Sequence, residues 1–260
     1  MMAKKKTQLG DIHMCVDRIL TGDQKIRAMQ LSIAENKKNQ PKVKRLPGVS
    51  AHPLKMALQA GKIWADGRLL KICFLDGSTT QRQRVIEHAS RWLKYANVKF
   101  DFAATRAASD LRISFQADSG SWSYIGTDNL GIPKNQPTMN FGWLKDDTDD
   151  TEYNRVVVHE FGHALGCIHE HQNPKGGIKW NEAAVYQYFG GPPNNWSKEE
   201  TYSNVIQKYS IDQLNASKFD AKSIMLYSFP GALIVGGKGT PSNTQLSRGD
   251  KVFIKKMYPK

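Results

Sequence analysis

Four of the chain's seven histidines crowd into His159-Glu160-Phe161-Gly162-His163-Ala164-Leu165-Gly166-Cys167-Ile168-His169-Glu170-His171. On a helix, His159 and His163 lie one turn apart, so both imidazoles leave the same face within reach of one ion. Glu160 sits between them and points toward the same cleft, where a carboxylate can act as general base for a zinc-activated water. Gly166 is placed to end the helix in a left-handed turn, which brings His169 back as a third ligand. Three neutral nitrogens leave a fourth coordination position open. Two other readings stand beside this one. The histidines can be incidental to an ordinary helix, or the zinc can be structural. The second needs four protein ligands, often sulfur, and gives Glu160 no task.

The His-Glu-x-x-His-x-x-Gly-x-x-His pattern resembles that of the metzincin clan of zinc endopeptidases. Ser223-Ile224-Met225-Leu226-Tyr227, well downstream, is similar to the methionine turn of the astacin-like branch, and that branch also carries a glutamate where Glu170 stands. The resemblance implies that Met225 is an apolar floor under the metal and that Tyr227 reaches the zinc or the reaction oxyanion. It implies an α+β metzincin-like zinc-protease fold: a twisted mixed five-stranded sheet, two long helices above the cleft, and an irregular lower subdomain ending in a helix. It also places Ser121-Trp122-Ser123-Tyr124-Ile125-Gly126 on the edge strand above the cleft, where an extended polypeptide would add as another strand. The chain departs from the branch at Leu226, usually histidine, at Cys167, usually aromatic, and in His171-Gln172-Asn173-Pro174. In mature astacins the glutamate after the third histidine contacts the new N-terminus.

The elements that must hold these residues follow in order. Residues 1–45 form an N-terminal extension or prosegment, with helix-like apolar spacing over Ile12 to Leu20 and Ile26 to Ala34, then a solvated linker from Glu35 through Arg45. Cys15, Asp11 and Asp17 are candidate donors to an open zinc position if this arm confers latency; a packing extension is the alternative. Residues 46–260 form the peptidase domain, with an upper subdomain of about 46–168 and a lower one of about 169–260. Leu69 to Leu75 reads as a buried strand, Thr79 or Thr80 to Tyr95 as a helix with one apolar stripe, and His88 falls off that stripe, toward solvent. Val98 to Phe102 and Leu111 to Phe115 alternate as strands with one face in the core. Thr138 to Trp143 resembles the last strand of the sheet. The acidic loop Asp146 to Asp150 favours the N-terminus of the histidine-bearing helix, or else offers calcium ligands without a recognised spacing. Asn181 to Phe189 has a short helical pattern between loops. His171 lies near the ligand trio but outside the pattern, and is expected either behind the ligands or on the surface. Ser247 caps a closing helix with Asp250 three residues on, followed by Val252, Phe253, Lys256 and Met257 at helical spacing.

Composition narrows the function classes. At 260 residues with 40% hydrophobic content the chain suits one large domain with an extension, and no apolar run is long enough to span a bilayer. The formal charge of +13 is scattered among acids, which favours a solvated basic surface over specific nucleic-acid binding. Three cysteines are too few for a disulfide framework and read as thiols. Met1-Met2-Ala3-Lys4-Lys5-Lys6 has no apolar stretch after it, so no signal peptide is recognisable; a non-Sec export route and an intracellular location both fit. The leading expectation is a monomeric zinc metalloendopeptidase. A silent peptide-binding module that keeps the groove, and a basic nucleic-acid binder resting on charge alone, are the other two.

Overall fold

Parallel strands need crossovers, and a helix supplies the one between the first two strands while turns and 3-10 segments link the rest. The computed structural model describes residues 15, 18, 20–41, 61–192, 194–209 and 218–260. Five strands, β1 (Leu69–Phe74), β2 (Lys99–Asp101), β3 (Leu111–Ser114), β4 (Ser121–Ser123) and β5 (Met139–Phe141), form one mixed sheet in the order β2-β1-β3-β5-β4. All neighbours are parallel except β4, which runs antiparallel to β5 and lies at the edge. The helices are α1 (Gly22–Glu35), α2 (Thr79–Ala89), α3 (Asp150–Ala164), α4 (Glu182–Phe189), α5 (Lys198–Thr201) and α6 (Arg248–Met257). This is the α+β arrangement expected.

One core joins α2 and α3 to the sheet, with Leu70, Ile72, Val85, Trp92, Leu111, Ile113, Val157 and Phe161 all buried. A second joins Val185, Phe189, Val205, Phe229 and Leu233 of the lower half to Trp122, Tyr227 and Cys15. Ser78 starts α2 with a capping box closed by Gln81, and Asp149 caps α3 by accepting from the Thr151 N–H. Two further acids of the acidic loop make protein contacts: Asp146 accepts from Ser78, and Asp150 meets both Arg84 and His88.

Several expectations change. His88 is fully buried, its Nε2 3.1 Å from Asp150 Oδ1, because the first turn of α3 covers the side of α2 that the apolar stripe left out. The α-helix ends at Ala89 and continues as a 3-10 turn over Ser90–Lys94. β3 does not alternate: all four residues are buried, since a central strand is covered on both faces. Arg112 is accommodated there by donating to the carbonyls of Gln136, Ser109, Asp110 and Ile132. In α6 the inward residue is Ile254, while Val252 is 60% exposed. The described start of the expected linker is packed: buried Asn39 bonds Ser32 O, Ile63 O and Ile63 N, which pins the end of α1 to the peptidase unit. Cys15 makes a β-bridge, so the chain is extended there; most of the expected Ile12–Leu20 helix, Asp11, Asp17 and the basic run Lys42 to Arg45 lie outside the described residues.

Candidate active site

The last two turns of α3 carry His159, Glu160 and His163, and the helix is held at both its flank and its end. Trp92 Nε1 donates to Val158 O at 2.8 Å, Trp64 Nε1 to Ala164 O at 2.8 Å, and Tyr258 Oη to Leu165 O at 2.8 Å. The last two satisfy carbonyls at the helix terminus that would otherwise be buried unpaired, and the first adds a second donor to an interior carbonyl. Gly166 has φ +93°, the left-handed turn that its spacing predicts, and Gly166 N and Cys167 N close the end by donating to His163 O and Gly162 O. The chain then doubles back and delivers His169.

The result is a convergence of three ring nitrogens. His163 Nε2 lies 3.1 Å from His159 Nε2 and 2.9 Å from His169 Nε2, and all three rings are buried. Two nitrogens each about 2.05 Å from a tetrahedral zinc are roughly 3.3 Å apart, so the observed spacing suits one shared ion. His159 Nδ1 donates to Ile224 O at 2.8 Å and His163 Nδ1 to Cys167 O at 2.9 Å. Each bond fixes the tautomer and turns an Nε2 lone pair inward, the form in which imidazole binds a metal. Burial, and then the neighbouring His163 and His169, hold His159 well below the ordinary histidine range, so it is neutral.

Ser223 to Tyr227 passes beneath this cluster. Met225 is buried, and a side-chain atom added at Gly162 would collide with Met225 Sδ; glycine in the helix makes room for the methionine. Tyr227 Oη stands 2.5 Å from His169 Nε2. Glu170 faces away from the metal side. It accepts from Asp220 N at 2.9 Å and Asn173 Nδ2 at 3.0 Å, and burial is the main reason its carboxyl is raised to about 7. His171 takes the first of its two expected places, behind the ligands: it is buried and stacks on His169 with ring centres 5.2 Å apart, and its Nε2 donates to Asn204 O at 3.0 Å. Asn204 belongs to a π-helical turn, Tyr202–Ile206, that sequence reasoning missed.

Two residues from outside the motifs complete the site. Asp250, read only as a cap, accepts from Ser223 Oγ at 2.6 Å and Ile224 N at 2.9 Å, and so ties α6 to the turn that orients His159. Cys15, the one of the three candidate donors that lies among the described residues, reaches the site. Its Sγ donates to Glu160 Oε2 at 3.2 Å, its carbonyl accepts from Tyr227 Oη at 3.1 Å, and ligand atoms of Cys15, His159, His163 and His169 all lie within 4.8 Å of one another. Cys15 also forms a parallel β-bridge with Ser121, and the Arg18 guanidinium lies 4.3 Å from the centre of the Trp122 ring. Of the expected edge strand, Ser121, Trp122 and Ser123 form β4, whereas Tyr124 packs against Leu20 and Ala28 of the arm and Gly126 begins a 3-10 helix. Cys15, Arg18 and Leu20 thus lie beside the cleft edge. Three imidazoles and a thiol, all buried and converging, fit zinc by donor type as well as by spacing.

Known proteins bear on the same residues. A sequence profile of the peptidase family described as Astacin matches residues 57–234. One solved structure of myroilysin is 43% identical, covers 76% of this chain and 96% of its own, and has a TM-score of 0.75. Another myroilysin structure is 38% identical, covers 85% and 100%, and has a TM-score of 0.60. High choriolytic enzyme 1, a hatching-enzyme zinc protease of the medaka fish Oryzias latipes, is 16% identical over 75% of this chain and 92% of its own at a TM-score of 0.50, a likeness of fold alone. No curated protein matches. Among the described residues no helix is long and apolar enough to cross a membrane. With a profile covering most of the chain and a solved relative this similar, the chain belongs to the astacin family of zinc metalloendopeptidases.

Proposed function

We propose that this chain is a latent endopeptidase in which His159, His163 and His169 hold one zinc ion, Glu160 is the general base, and Cys15 closes the fourth position. The observation that carries it is the meeting of Cys15 with both groups the chemistry needs, Glu160 at 3.2 Å and Tyr227 at 3.1 Å, beside three converging imidazole nitrogens. Bound there, zinc supplies Lewis acidity toward water and the scissile carbonyl. Glu160 is buried and already accepts a proton donor at Oε2; in the open enzyme the attacking water takes the place of the thiol, and the carboxylate removes its proton and passes it to the departing amine. Tyr227 already donates to a peptide carbonyl, that of Cys15, so the same hydroxyl is set to donate to the substrate oxyanion.

The arm and the substrate compete for one edge. β4 has its partner β5 on one side, and the bridge from Cys15 to Ser121 uses the other, where an extended polypeptide would pair. Residues 1–45 accordingly act as a prosegment, and residues 46–260 as the unit that cleaves. The experiment uses the Cys15→Ala background, so that latency does not mask turnover, and adds Glu160→Gln. Zinc is expected to remain at one ion per chain while peptide cleavage falls by about 10²- to 10⁴-fold. Undiminished cleavage by a zinc-loaded Glu160→Gln protein would overturn the assignment, and zinc and peptide binding without turnover in the Cys15→Ala parent would leave a silent binding module instead.

A further inference from the structure

His159 and His163 are aimed by α3, but His169 lies outside that helix, just before the 3-10 turn Glu170–Gln172. Its main chain is tied down, since Glu170 N donates to Met225 O at 2.9 Å and Gln172 N to His169 O at 3.1 Å. A ring on a fixed backbone still has its side-chain torsions to settle, and its neighbours decide them. Two rings lie nearly parallel to it: His159 at 5.3 Å and 28°, and His171 at 5.2 Å and 24°. The first is a fellow candidate ligand. The second has no part in the zinc pattern, and it also lies 5.6 Å from the Tyr227 ring.

His171 is itself held from the lower half. Phe229 and Trp180 meet it edge-on at 5.2 and 6.2 Å, and its Nε2 donates to Asn204 O at 3.0 Å. The next side chain does the same, with Gln172 Nε2 donating to Ser203 O at 2.8 Å. Both carbonyls belong to the π-helical turn Tyr202–Ile206. Such a turn interrupts the regular ladder of a helix and leaves carbonyls for outside donors. Two successive residues after the third ligand thus grip two successive carbonyls of the lower half. We propose that His171 is a positioning residue for His169. Its N–H anchors it to the π-helical turn, and its ring keeps the His169 imidazole aimed at the metal, with the Tyr227 hydroxyl beside it. This rests on the zinc reading given above. The two tasks are separable: phenylalanine keeps a flat ring without the donor, and glutamine places a donor near the position of Nε2 without the ring.

The test uses the full chain in the Cys15→Ala background with cobalt(II) in place of zinc, because cobalt takes the same donors and its visible absorption reports coordination geometry. His171→Gln is expected to weaken cobalt binding about tenfold, the upper end for one lost aromatic pair, and to shift the visible bands. With zinc restored, its kcat for peptide cleavage should fall about tenfold while KM stays within about twofold. His171→Phe is expected to keep metal affinity, spectrum and kcat within about twofold of the parent, while the Tm of the metal-free chain falls because Asn204 O loses this donor. A cobalt site indifferent to glutamine, or one disturbed as much by phenylalanine, would overturn the proposal and leave His171 an anchor of the fold alone. A Cys15→Ala parent that takes up no cobalt would sink the zinc reading and the proposal with it.

Discussion

Replacing Asp250 with alanine should damage the zinc site from a distance, and the structure says by how much. The carboxylate is 8% exposed and accepts three hydrogen bonds: from Ser223 Oγ at 2.6 Å, Ile224 N at 2.9 Å and Ser247 N at 2.8 Å. Hydrogen bonds to a charged acceptor contribute roughly 1.5–3 kcal/mol each, less than additively when they share one group, so the alanine variant should lose about 3–5 kcal/mol of stability. For a domain of this size that is a fall in Tm of roughly 10 °C. Asparagine is the discriminating control. Its oxygen can keep both N–H bonds made by Oδ2, and its amide nitrogen can donate to Ser223 Oγ, so the loss should be about 1 kcal/mol. Ile224, whose N–H Asp250 grips, offers its carbonyl to His159 Nδ1, so zinc affinity should fall about tenfold in the alanine variant. Thermal unfolding of the zinc-loaded protein and competition with a chromophoric chelator measure the two effects. Equal destabilisation by alanine and asparagine, or loss of stability with zinc affinity intact, would refute the coupling of α6 to the metal site.

Two further outcomes follow from the arm and from the cap of α3. Cys15→Ala removes the group that engages Glu160 and the imidazoles, so basal cleavage of a quenched peptide should rise about tenfold or more, and an unchanged rate would show that Cys15 does not hold the enzyme closed. The Asp149 carboxyl is held below the usual carboxylate range by the Thr151 backbone N–H and then by its hydroxyl. A carboxyl depressed by folding stabilises above its unfolded pKa and ceases to do so as pH drops through its folded value, so the window is below about pH 4. Asp149→Asn keeps a capping oxygen that does not titrate. Its Tm should decline less than that of wild type between about pH 5 and about pH 3; parallel declines would contradict the sign.

What the sequence made legible was what local geometry decides. An i, i+4 pair of histidines shares a helix face whatever surrounds it, and Gly166 marked the end of that helix because only its left-handed turn returns the chain to His169. The Met225 turn was legible through family resemblance, since a lone methionine in an apolar run signals nothing more than packing. What escaped were decisions made between distant segments. Cys15, 145 residues from Glu160 and in no motif, could be offered only beside Asp11 and Asp17; its meeting with Glu160 is decided by the fold. Arg112 looked outward because alternation assumes one wet face, and the central position of β3 removes that face. His88 looked exposed because its own helix offered no cover, which comes from Asp150 and Tyr153 on α3. Asp250 read as a helix cap and serves as one, but its second task depends on where the chain from Ser223 happens to pass.

The central claim is a zinc ion gripped by three imidazoles and closed off by a thiol. X-ray absorption at the zinc edge on the intact, zinc-loaded chain measures that shell directly. Three nitrogen scatterers with imidazole signatures at about 2.0–2.1 Å and one sulfur at about 2.3 Å are expected, with the sulfur replaced by oxygen or nitrogen in Cys15→Ala. A shell with fewer than three imidazoles, or one that Cys15→Ala leaves unchanged, would contradict it.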